Sequence, residues 1–175
     1  FDVNDPEVAP QGYILRSNFS YTGIKDKGWG FIRYETARRY FAEAEAIGKI
    51  DLEFILGKPS RSFDHSLTEI NYLENLPENK EKQQLVFWED MITRYSSVSS
   101  IIFHGVKKDE APVLTTMWTV LGFQFSSVAV PVWVKGGSFL PGILRADEEQ
   151  NAPLCDLAYK LKNSCFPVKR GSGKK

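Results

Sequence analysis

The sequence predicts an α+β fold, and three observations carry the prediction. Apolar residues in the first half recur at helical spacing: Tyr34, Ala37, Phe41 and Ala44 are separated by 3, 4 and 3 positions, the stripe of an amphipathic helix. The second half changes character, with β-branched and aromatic runs at Ser97–Val106, Val113–Leu121 and Ser127–Val134 that read as strands. The connections between those runs are too short for parallel crossovers, so the strands form an antiparallel meander. Helices gathered at one end of the chain and strands at the other are the pattern of a sheet with helices on one face.

The elements follow in order. Residues 1–11 hold Pro6 and Pro10 and few apolar side chains, an extended lead-in. Tyr13–Phe19 reads as a strand after the turn signal at Gly12, and residues 20–30, with Gly23, Gly28 and Gly30, read as a loop. The helix that begins at Phe31 carries the stripe, flanked by Tyr40 and Ile47, and closes at Gly48. A short helix is expected over Asp51–Leu56, stopped by Gly57 and Pro59. Ser66-Leu-Thr-Glu69 fits a capping box, which predicts a further helix from Leu67 to Leu76, ending at Pro77. Residues 77–84 are polar and read as a solvated loop; Leu85–Thr93 fits helix or strand equally. Pro131, inside the third strand run, points to an edge or a bulge. Leu154, Leu157, Ala158 and Leu161 predict a last helix that ends near Asn163, with Pro167 beyond.

Composition narrows the classes of function. The chain of 175 residues contains 22 Lys and Arg against 22 Asp and Glu, the size of one domain. A chain with no basic excess is not built for phosphate backbones or anionic membrane surfaces. Hydrophobic residues are 42% and aromatic residues 13%, enough for a packed core, and no run approaches the roughly 18 apolar residues of a membrane span. Nucleic acid and membrane are therefore not expected partners. Cys155 and Cys165 stand ten positions apart, about 15 Å along one helix, beyond the reach of about 7 Å that a disulfide allows. They read as free thiols, and the compartment stays open.

Familiar motifs do not fit. Gly28-Trp-Gly30 starts like a dinucleotide fingerprint, but Arg33 stands where its last glycine belongs. Gly171-Ser-Gly-Lys-Lys175 resembles the end of a phosphate loop, but Val168 replaces the earlier glycine. His65 and His104 lack metal-site spacing, so no metal and no cofactor is expected. Asp64 beside His65 could orient it as the base of a self-contained hydrolase, although no Gly-x-Ser-x-Gly elbow accompanies the pair.

Two short segments stand out: Leu15-Arg-Ser-Asn18-Phe, where Asn18 ends the expected strand, and Arg33-x-x-x-x-Arg38-x-x-Phe41, where Arg33 opens the aromatic helix. The first resembles the segment that supplies an oxyanion-hole asparagine in linear amide hydrolases, the relatives of bile-salt hydrolase and penicillin acylase. The second is similar to the arginine at the helix start of the same enzymes. Further on, Ile92-Thr-Arg-Tyr-Ser-Ser-Val-Ser-Ser100, Thr115-Thr-Met-Trp-Thr-Val-Leu-Gly122 and Val128-Ala-Val-Pro-Val-Trp133 are similar to the isopenicillin-N acyltransferase branch. The segments are short and scattered over most of the chain, and their order carries the resemblance.

The resemblance implies a four-layer αββα sandwich with antiparallel sheets, an N-terminal-nucleophile hydrolase in which a cysteine at the mature N-terminus attacks a linear amide. It assigns Asn18 to the oxyanion hole and Arg33 to the pocket. A free α-amine of pKa about 7.7–8.0 can carry the proton, and an amide NH₂ can donate to the developing oxyanion. The chain departs from the pattern at its first residue, Phe1, which has no nucleophile. On this reading residues 1–175 form a single domain that is a fragment of a longer hydrolase. Its expected partners are a small amide substrate, the missing N-terminal segment and, in a homo-oligomer, its own copies. The alternative is a non-catalytic binding or structural module of the same fold. In that case Asn18 caps a turn and Arg33 lies on a solvated helix face.

Overall fold

The structure, a computed structural model, describes residues 2, 4–18, 30–79, 82, 86 and 88–166. Several sequence expectations fall outside them: most of the loop at 20–30, Trp29, the residues around Leu85, and the polar stretch that ends at Lys175. The described residues contain helices and antiparallel sheets, the α+β class. The chain separates into two compact units, Phe1–Tyr95 and Ser96–Lys175.

In the first unit, α1 spans Phe31–Ala46. Its end is a Schellman motif: Gly48 sits at φ +63°, its N–H reaches Glu45 O, and the Lys49 N–H reaches Ala44 O. Glycine suits that left-handed position because it has no Cβ to clash. The buried residues of α1 are Thr36, Tyr40 and Ala44; of the expected stripe Ala44 is buried and Tyr34, Ala37 and Phe41 are half-buried. Phe41 is flanked by Tyr13 and Phe54, each at 5.2 Å between ring centres. Tyr40 is selected for the interior because its hydroxyl has a partner there, Ser62 Oγ at 2.8 Å; a buried hydroxyl needs one. Extending the line Thr36, Tyr40, Ala44 by one turn towards the N-terminus reaches Arg33.

Next comes α2, Leu52–Gly57, one residue displaced from the expected Asp51–Leu56. Asp51 is its cap, its carboxylate accepting the Phe54 N–H at 2.8 Å. The helix expected at Leu67–Leu76 is absent. There the chain forms a small hairpin, β1 (Asp64–His65) against β2 (Ile70–Asn71), followed by a turn in which Asn71 Oδ1 accepts the Leu73 and Glu74 N–H groups. The capping reading fails because Ser66 Oγ donates to Ile32 O in the first turn of α1, at 3.0 Å. That bond docks the hairpin onto α1. Segment 13–18, expected as a strand, joins no ladder among the described residues. Among the described residues of the ambiguous stretch Leu85–Thr93, Trp88–Asp90 form a 3-10 turn.

In the second unit, β3 (Ser99–His104), β4 (Thr116–Leu121) and β5 (Val130–Trp133) form the expected antiparallel meander in the order β3-β4-β5. Thr119 opposes Ile101 on one side and Val130 on the other. Pro131 lies in the edge strand β5, opposite Trp118, where a missing N–H is tolerated. Val113 and Leu114, expected in a strand, belong to a 3-10 turn. The last helix, α3, spans Pro153–Cys165. Its buried residues are Leu154, Ala158 and Lys162, while Leu157 and Leu161 are exposed. The close approach of α3 to Gly122 explains this choice of face: a Cβ on Gly122 would stand 2.6 Å from Ala158 Cβ, so the helix turns its smallest side chain inward. Lys162 buries its stem and sets its ammonium 4.9 Å from the centre of the Phe123 ring, a cation–π seat. Cys155 and Cys165 are both free thiols.

Candidate functional site

Asn18 and Arg33, 15 positions apart, meet in the first unit. Arg33 Nη2 donates to Asn18 Oδ1 at 2.5 Å, and Arg33 Nη1 donates to the Glu89 carbonyl. Arg33 is half-buried and Asn18 exposed. A guanidinium only donates, so the atom of Asn18 that faces it is the oxygen, and the amide NH₂ points away. The pair depends on Gly30. At φ +86° Gly30 is left-handed, and a Cβ there would collide with Asn18 Oδ1 and come within 2.9 Å of Arg33 Nη2. Gly30 also starts α1, its carbonyl accepting the Tyr34 N–H at 3.0 Å.

Electrostatics keep Arg33 a committed cation. Burial lowers its pKa from the usual guanidinium value, the neighbouring Arg94 lowers it further, and Asp90 and Glu89 oppose both. From so high a starting value the side chain stays charged. The other arginine that the sequence singles out, Arg38, does not join the pair: it bonds Glu35 Oε2 at 2.8 Å on the same helix.

Beneath α1 lies a second polar group. Arg39 Nη2 donates to Asp64 Oδ2 at 2.7 Å, and the Asp64 N–H reaches Ser62 Oγ at 3.1 Å. Burial, reinforced by the Asp64 carboxylate, raises the pKa of Tyr40 well above that of a free phenol. This arrangement overturns the pairing of His65 with Asp64. Asp64 faces Arg39, whereas His65, only 5% exposed, accepts the Thr68 N–H on Nδ1 at 3.2 Å and turns Nε2 to Asp90 Oδ2 at 3.5 Å. With Nδ1 occupied as an acceptor, the ring has no basic nitrogen directed at a hydroxyl nucleophile. Sequence reasoning missed Asp90 because its partner lies 25 positions away, with no periodic signal linking them.

Two hollows are worth placing. One of about 150 Å³ is lined by Tyr13, Leu15, Arg16, Tyr34 and Arg38, among others, beside the segment that leads to Asn18. A larger one of about 450 Å³, in the second unit, is lined by residues including Asp147, Glu148, Glu149 and Asp156. No Ser, Thr, Cys, Lys or His lines it, and among the described residues no group of three or more His, Cys, Asp or Glu could hold a metal ion. No helix among them is long and apolar enough to cross a membrane.

Comparison with known proteins finds no family model, no curated protein and no solved structure that matches this chain.

Proposed function

We propose that this chain is the later portion of an N-terminal-nucleophile amidase or acyltransferase that cleaves linear amide C–N bonds. Asn18 serves as an oxyanion-hole donor and Arg33 as the cation that orients it, within a four-layer αββα sandwich. The observation that carries the reading is the bond from Arg33 Nη2 to Asn18 Oδ1. A guanidinium on the oxygen of an amide polarises its NH₂ and fixes its direction, which is what a preorganised oxyanion donor requires. Gly30 supports the same reading: a left-handed glycine with no room for a Cβ keeps the two side chains together. The attacking thiolate belongs to a cysteine upstream of Phe1. A nearby fixed cation lowers the pKa of a thiol, and the α-amine of that cysteine takes up its proton.

The test is to express the reading frame with its upstream sequence and to assay turnover of linear amides. A Cys, Ser or Thr exposed by cleavage before Phe1, together with amide turnover, is the expected result; its absence ends the proposal. Asn18→Ala in the active protein is expected to lower kcat by about 10²–10³, the usual effect of removing one oxyanion donor, with folding retained. A loss below about threefold would exclude the oxyanion role. Ligand binding without turnover in the extended protein would identify the non-catalytic module instead.

A further inference from the structure

We propose that His65 and Asp90 are positioning residues for Arg33, acting through the Glu89 carbonyl. The proposal rests on the reading of Arg33 as a site residue, and its test does not require turnover.

Arg33 is held at both ends, by Asn18 Oδ1 through Nη2 and by the Glu89 carbonyl through Nη1. Its aim is therefore only as firm as that carbonyl. Glu89 sits in a three-residue 3-10 turn, Trp88–Asp90, too short to hold itself by helical cooperativity. Its neighbours must hold it. On one side Trp88 lies between Phe63, at 5.3 Å, and Tyr95, at 5.9 Å between ring centres. On the other side Asp90 Oδ2 lies 3.5 Å from His65 Nε2.

His65 is a firm anchor. It is buried and belongs to β1, and the Thr68 N–H occupies its Nδ1 at 3.2 Å. An N–H directed at Nδ1 requires a lone pair there, so the ring proton resides on Nε2, the nitrogen that faces Asp90. The hairpin that carries His65 is tied to α1 through Ser66 Oγ and Ile32 O, one residue before Arg33. The loop closes: the helix that bears the guanidinium holds the hairpin, and the hairpin holds the turn that aims the guanidinium.

Two measurements on the chain test this. The first is the ¹⁵N spectrum of His65 in the unaltered chain, in which the neutral ring should show an unprotonated Nδ1 and a protonated Nε2; the reverse tautomer overturns the proposal. The second follows the guanidinium resonances of Arg33, whose slow rotation reports restraint at both Nη groups. Asp90→Ala is expected to speed that rotation at least about tenfold, the scale of losing a polar contact to a charged group. Asp90→Asn should preserve it, because an amide oxygen of the same shape still sets a partial negative charge against Nε2–H. Unchanged rotation in Asp90→Ala overturns the proposal, and so does Asp90→Asn behaving like Asp90→Ala, which would make the effect one of charge rather than position. His65→Gln, which keeps an N–H near the Nε2 position, should match the unaltered chain where His65→Ala does not. A chain that passes both tests yet shows no amide turnover when extended upstream would retire the amidase reading and leave this one standing.

Discussion

At the scale of single residues, Gly30 decides whether Asn18 and Arg33 can meet. A left-handed backbone costs an L-residue about 1–2 kcal/mol, and here the Cβ would also enter the space that Asn18 Oδ1 occupies. Gly30→Ala is therefore expected to destabilise the first unit by about 1–2 kcal/mol in chemical denaturation. It should also release Arg33 from Asn18, seen as faster guanidinium rotation. Normal stability with unchanged Arg33 resonances would show that the close approach is not required. Arg33 became a candidate through the resemblance of its segment to the helix-start arginine of linear amide hydrolases. Its burial was not legible: the line Arg33, Thr36, Tyr40, Ala44 contains a charge and a threonine, which no apolar pattern marks.

At the scale of elements, local chemistry was decisive wherever a short-range bond satisfied it. Gly48 closes α1 and Asp51 caps α2 through partners within five positions; the stop at Gly48 was read from the sequence, whereas Asp51 was expected inside the helix it caps. The capping box at Ser66 was equally well formed and failed, because Ser66 Oγ found Ile32 O, 34 positions away. The seat of α3 likewise depends on a distant residue. Gly122 sits at φ +78°, with Ala158 Cβ and the Cys155 carbonyl where a side chain would go. Gly122→Ala is expected to destabilise the second unit by about 2–4 kcal/mol, combining backbone strain with overpacking. Urea denaturation followed by the fluorescence of Trp118 and Trp133 measures this, and a change below about 0.5 kcal/mol would contradict the packing described.

At the scale of the whole molecule, burial raises the pKa of several acids at once: the phenols of Tyr13, Tyr40 and Tyr159 and the thiol of Cys155. Each keeps its proton in the native state at pH values where the unfolded chain releases it, from about pH 8.5 for a thiol and about pH 10 for a phenol. The unfolded state then binds fewer protons, so stability falls as pH rises. This contribution is fully present below about pH 8 and is lost as pH climbs through the raised native values. The urea midpoint is expected to drop steadily between about pH 9 and pH 11, and Tyr40→Phe should flatten that slope by close to one proton. A midpoint independent of pH across that range would show that these groups are not held protonated.

The sequence alone determined the α+β class, the position of α1 and its glycine stop, the three-stranded meander, and the candidacy of Asn18 and Arg33. The first three rest on periodicity and turn residues, which are written locally; the candidacy of Asn18 and Arg33 rests on the resemblance to linear amide hydrolases. Only the tertiary structure decided that residues 64–71 fold as a hairpin, which face of each helix is buried, and that His65 answers to Asp90 rather than Asp64. The physical reason is distance along the chain: a buried polar group takes whichever partner packing brings within reach, α3 turns in the side chain that fits against Gly122, and those partners lie tens of residues away, where no local pattern records them.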